Sequence, residues 1–185
     1  MKFRLVYEGE IAPRPQINAT DVHKIRTELD PQLRAVWQFE PLKEQASKWL
    51  RPPQEDGTGL FENRGATTFV PLVSKRRFLQ CGLDVVFLRQ QAAGQLVSEG
   101  GDIDNRVKTL LDALCVPPPA QAGLFAEARE PNPMYCLLQD DSLVTKLSVE
   151  TDRLLRPSAG QFDLVAIIQV DVTASRLTFG NMEIA

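Results

Sequence analysis

Asp102 and Asp104 stand two residues apart, Lys108 follows four after Asp104, Asp112 four after that, and Asp140-Asp141 form an adjacent pair further on. Carboxylate oxygens are the ligands that Mg²⁺ and Mn²⁺ prefer, usually with waters and a substrate phosphate completing the shell. In an extended segment, residues two apart point the same way, so Asp102 and Asp104 are able to converge on one ion. Where a helix then begins, Lys108 lies one turn beyond Asp104 on a similar face. Its ammonium could stabilise charge developing on a phosphoryl group or orient an attacking water. Asp140 and Asp141 offer a third carboxylate from across a sheet, and the chemistry described is metal-dependent phosphodiester hydrolysis. The same residues have ordinary uses too. Asp104 serves as a helix N-cap, Asp104 with Lys108 as a surface pair, and Asp140-Asp141 as a turn signal before a strand.

Inventory removes several other chemistries. His23 is the single histidine, so histidine metal clusters and Ser-His-Asp triads are excluded. Gly57-Thr58-Gly59 and Gly100-Gly101 complete no phosphate-loop fingerprint. Cys81, Cys115 and Cys136 are odd in number and lack zinc-type pairing, which points to reduced thiols in a cytoplasmic protein, with a Cys115–Cys136 disulfide as the open alternative. The start of the chain has too short an apolar stretch for a secretory signal, and no run is long enough to span a membrane.

The formal charge is −3, but it is unevenly placed. Residues 1–100 carry 14 basic and 12 acidic side chains, whereas residues 101–185 carry 7 and 12. The acidic half is therefore the one holding the aspartates, where divalent ions would offset part of the excess. A phosphate-rich partner would be gripped mainly by the first half, with Lys75, Arg76 and Arg77 the leading contacts and Arg64 and Arg89 beside them, and by Arg106 from the second half.

These residues need positioning elements. Phe3 to Tyr7 reads as a first strand ended by Pro13 and Pro15. Val22, Ile25 and Leu29 recur at helical spacing after a cap at Thr20 or Asp21, and Asp30-Pro31 signals the start of a new helical segment through Leu33 to Trp37. Residues 41–50 form a further amphipathic stretch and 51–59 an exposed loop. Trp37 and Trp49 fall on apolar helical positions and read as core. Residues 67–73 and 77–88 read as strands, and 105–114 as a helix with Val107, Leu110, Leu111 and Leu114 in one stripe. Residues 115–139 are proline-rich and read as a surface insertion. Residues 143–151 and 162–172 alternate as strands joined by a hairpin connection at 156–160, and 177–184 adds an edge strand. The sum is an α/β (α+β) single domain with a mixed sheet flanked by helices.

The order Asp102-Ile103-Asp104-Asn105-Arg106-Val107-Lys108, then Asp112-Ala113-Leu114, then Asp140-Asp141-Ser142 resembles the RusA-like Holliday junction resolvases. Those proteins carry D-x-D-N-x-x-K opening a helix that continues to D-A-L, then D-D before a strand. The resemblance covers roughly residues 83–172. It implies a homodimeric, Mg²⁺-dependent endonuclease that nicks four-way DNA junctions in recombination and repair. Asp102, Asp104 and Asp141 would be metal ligands, Asp140 and Asp112 secondary candidates, and Lys108 the essential basic residue. Where the family places arginines before the first aspartate, this chain has Val97-Ser98-Glu99-Gly100-Gly101, and the segment between Leu114 and Asp140 is long. Other branched DNA, RNA, or nucleic-acid binding without turnover are the alternatives those departures leave open.

Overall fold

Strict alternation along Leu79–Arg89, buried at every odd position and half-buried at every even one, marks the strand around which the molecule is built. The computed structural model describes residues 1–12, 17–55, 58–90, 103–127, 131–157 and 163–184. In chain order the elements are β1 (Lys2–Glu10), α1 (Ala19–Val36), α2 (Leu42–Trp49), β2 (Glu62–Arg64), β3 (Thr67–Val73), β4 (Leu79–Arg89), α3 (Ile103–Leu114), β5 (Met134–Leu138), β6 (Val144–Arg153) and β7 (Asp163–Ala174). Short 3-10 turns lie at Lys75–Arg77, Pro119–Phe125 and Asp141–Leu143.

The strands form two mixed sheets, one ordered β1-β7-β4-β6 and the other β2-β3-β5. β4 runs parallel to β6 and antiparallel to β7, and β3 runs parallel to β5. This is the mixed α+β class that the sequence led us to expect. One face of the larger sheet, with Leu5, Leu83, Val85, Phe87, Ile168 and Val170, enters the main core together with Leu29, Leu33, Leu110 and Leu114 of the helices. Trp37 and Trp49 meet edge to face in that core at 6.1 Å between centroids. No described helix is long and apolar enough to cross a membrane.

Five local expectations are corrected. Asp30-Pro31 starts no new helix: α1 runs through it, capped upstream by Asn18, whose side chain accepts from Thr20 N at 2.8 Å and Asp21 N at 3.0 Å. Asp30 is instead buried, its carboxylate accepting the Tyr135 N–H of β5 at 2.6 Å and contacting Arg34. Residues 115–139 are not merely a surface insertion. Phe125 is 1% exposed and joins Phe69, Val116, Met134 and Cys136 in a second small core, and Met134–Leu138 completes a sheet. The Phe125 carbonyl accepts Ala66 N–H at 2.7 Å beside the β2–β3 turn, where Gly65 has φ +58° and a side-chain carbon would run into that same carbonyl.

The β6–β7 connection is no hairpin, because β4 lies between those strands in the sheet. Residues 177–184 make turns rather than an edge strand. Buried Asn181 holds them by donating to the Arg77 carbonyl at 2.7 Å. The three cysteines are free thiols, so the disulfide alternative is not realised.

Candidate functional site

α3 carries the chemistry-bearing segment, and its two sides divide cleanly. Of the expected stripe, Val107, Leu110 and Leu114 are buried and Leu111 is half-buried, and Ala113, Arg106 and Thr109 are buried with them. Asp104 and Lys108 face outward, with side chains 57% and 53% exposed, and Lys108 Nζ contacts Asp104 Oδ2 at 2.5 Å. That pairing is the i,i+4 geometry anticipated from spacing. Asp102 lies outside the described residues.

Buried arginines fix the helix near both ends. Arg106 Nη1 donates to the Ile11 carbonyl at 2.6 Å, tying the first turns of α3 to the chain leaving β1. Thr109 Oγ1 makes a longer contact, 3.4 Å, with the Ala12 carbonyl. At the other end Arg26 of α1 donates from Nη2 to the Asp112 carbonyl at 2.7 Å and from Nε to the Cys115 carbonyl at 3.1 Å. Those carbonyls belong to the last turn, where no intrahelical N–H remains to bond them. Burial, and next the like charge of Arg89, push the Arg106 guanidinium down to about 10, against the opposing pull of Glu10. It stays cationic at neutral pH.

The second acidic pair lies elsewhere. Cys115, which directly follows α3, bridges to Leu138, and the charges of Asp141 and Asp140 both act on the Cys115 thiol. Asp141–Leu143 then leads into Val144, which pairs with Cys81 near the start of β4, whereas Arg106 neighbours Arg89 at the end of β4. Asp104 and Asp140-Asp141 thus occupy opposite ends of α3. Ten or so helical residues at about 1.5 Å each put on the order of 15 Å between them. Among the described residues, no three of His, Cys, Asp and Glu gather closely enough to hold a metal ion. Asp104 and Asp141 therefore lie too far apart to share one ion, and Asp102, the remaining member of the expected set, lies outside the described residues.

Asp140 has a structural task of its own. It caps the turn at Asp141–Leu143, accepting Ser142 N–H at 2.9 Å, with Lys75 Nζ at 3.8 Å. Hydrogen bonds from Ser142, and more weakly Lys75, hold its carboxyl below the usual carboxylate range. Asp112 is half-buried and contributes its carbonyl to the Arg26 contact.

Of the basic residues nominated for phosphate contact, Lys75 and Arg76 are exposed. Arg77 is 8% exposed and lies over the Trp49 ring at 4.6 Å, and Arg106 is internal, so both are corrected to structural roles. Arg89 is also buried, and Arg64 is held by Glu62 and the Pro117 carbonyl. Arg26 and Asp30 were missed by the sequence reading. Their signal was available: both fall on the inner side of α1 among Ile25, Leu29 and Leu33, where a charge has to find a buried partner. Set against known proteins, the chain matches no protein-family model, no curated protein and no solved structure.

Proposed function

We propose that the chain is a Mg²⁺-dependent, or Mn²⁺-dependent, nuclease of branched DNA, four-way junctions foremost, centred on the amino-terminal end of α3. The observation that carries this reading is the outward pairing of Asp104 with Lys108 on a helix clamped by Arg106 and Arg26. The D-x-D-N-x-x-K order that contains the pair supports it. Mg²⁺ is commonly held by one or two protein carboxylates plus waters and substrate phosphates. Asp102 and Asp104 are thus a sufficient protein contribution, and Asp141 is left out of the ligand set. A bound ion would polarise the scissile phosphate and lower the pKa of its water.

Lys108 stands one turn from Asp104 and would offset negative charge developing on the phosphate, where its present ion pair keeps it poised. The dipole of the helix adds partial positive charge at the same end. Lys75 and Arg76 would contact the DNA backbone away from the reacting phosphate. A symmetric dimer would offer two such ends to the equivalent strands of a junction.

One observation favours a second reading. With Asp141 remote from Asp104 and three nominated arginines, Arg77, Arg89 and Arg106, internal, the chain would bind branched nucleic acid without cutting it. Incubating purified protein with labelled four-way junction, flap, linear duplex, single strand and RNA, in Mg²⁺, Mn²⁺ or chelator, separates the readings. Metal-dependent nicks on branched DNA support the nuclease. Equal cutting of linear DNA or RNA broadens its substrate, and tight binding without nicks supports the second reading. Neither binding nor nicking contradicts both.

A further inference from the structure

β1 is an edge strand of the larger sheet, and part of its outer edge is already closed. The Gln32 side chain donates to the Val6 carbonyl at 2.6 Å and accepts the Val6 N–H at 2.9 Å, as a neighbouring strand's peptide group would. Lys2 and Arg4 share the parity of Val6, so their backbone N–H and carbonyl groups point the same way. Among the described residues, no group bonds them there.

Beside this open stretch lies a groove of about 420 Å³ between β1 and α1. Its helix side is Gln32, Ala35, Val36 and Phe39, an i, i+3, i+4, i+7 stripe continued just past the end of α1. Phe3 of β1 lines the other side, and Phe39 is 68% exposed. The opposite face of the stretch is basic. Lys2 and Arg4 alternate with Phe3, so their side chains leave β1 on the face away from α1. Lys2 pairs with Asp171 at 3.2 Å, whereas Arg4 meets the neutral Gln169 at 3.0 Å.

We propose that this edge takes up an extended acidic segment of another protein, added beside β1 as a further strand of the larger sheet. Successive side chains of a strand face opposite ways, so the two sides of the stretch select an alternating sequence. Apolar side chains would enter the groove against Phe3, Val36 and Phe39, and carboxylates would stand beside Lys2 and Arg4. Glu40 lines the groove too, its carboxylate accepting the Glu44 N–H at 3.2 Å, and it disfavours a second acid on that side. A second copy of the chain is the poorer occupant. Two β1 edges meeting over Lys2 to Arg4, the stretch that Gln32 leaves open, would set those cations against their own images.

Fluorescence anisotropy of a labelled, end-blocked heptapeptide alternating glutamate and valine tests the edge, with no metal or DNA present. Saturable binding to the full chain below about 1 mM is expected, and a lysine–valine peptide should bind at least about tenfold more weakly. Methylating every second backbone nitrogen of the peptide should abolish binding in one phase and spare it in the other, because alternate residues turn their N–H toward β1. Arg4→Glu and Phe39→Ser, both at exposed positions, should each weaken binding about fivefold or more with circular dichroism unchanged. No saturable binding, equal binding of the lysine peptide, or indifference to the methylation phase overturns the proposal. Two further results overturn it when the peptide does not bind. Self-association lost in Arg4→Glu would assign the edge to a second copy, and single-stranded oligonucleotide binding lost in that variant would assign it to nucleic acid. None of these readouts involves Asp104 or a metal, so this proposal and the nuclease reading stand or fall separately.

Discussion

Arg26 reaches across from α1 to the Asp112 carbonyl, 86 residues later in the chain, and closes the carboxy-terminal turn of α3. The contact joins the two helices whose packing sets where Asp104 and Lys108 face. Arg26→Met keeps the apolar stem but leaves the last carbonyls of α3 buried without a donor. It should lower unfolding free energy by about 2–3 kcal/mol, the range for a hydrogen bond from a charged group. The midpoint of urea unfolding checks this, and a change within about 0.5 kcal/mol would contradict the clamp.

Asp30 makes a comparable link to the second sheet through the Tyr135 N–H. Asp30→Ala leaves the Tyr135 N–H buried without its acceptor, whereas Arg34 keeps the Pro133 carbonyl, so the expected loss is about 1–3 kcal/mol. Asp30→Asn, which retains a carbonyl oxygen, should lose less. Equal losses would mean that packing volume, rather than the acceptor, matters at this position.

Much of this framework was readable in advance, and the failures have physical causes. The alternation of Leu79–Arg89 and the stripe of Ile103–Leu114 announce a strand and a helix because each buries one side only. Asp30-Pro31 misled because its cap signal is local, whereas the carboxylate is used by a strand more than a hundred residues away. Prolines in 115–139 suggested a surface excursion, yet Phe125 found a pocket between Phe69 and Met134 that local sequence does not reveal. At the candidate site, spacing correctly paired Asp104 with Lys108. It could not say which end of the helix Asp141 would meet, because that depends on where the chain returns after Leu114.

The thiols offer a check on the core. Burial pushes Cys81 and Cys136 up to about 12 and raises Cys115 as well, with the Cys136 and Asp141 charges adding to the effect there. The thiolate is the reactive form. A disulfide-exchange reagent at pH 8 should therefore label the native protein very slowly and all three cysteines at once after denaturation. Rapid labelling of Cys81 or Cys136 in the native state would contradict their placement.

Asp140 gives a pH test. Its carboxyl is depressed in the folded chain by Ser142, so its contribution is complete above the unfolded carboxylate value near 4. That contribution fades as pH falls through the lower folded value. Asp140→Asn should therefore be less stable than wild type at pH 7, and the two should converge in acid. Because the side chain is about half exposed, solvent screening should keep the neutral-pH difference below about 1 kcal/mol. A difference that widens in acid would contradict the assignment.

The most direct measurement compares nicking of a labelled four-way junction in Mg²⁺ by wild type, Asp104→Asn and Asp141→Asn. The account predicts metal-dependent nicking by wild type, a loss of about 100-fold or more in Asp104→Asn, and retention of most activity in Asp141→Asn. Equal loss in both variants would contradict the separation of the two carboxylates, and undiminished nicking by Asp104→Asn would contradict the site at the start of α3.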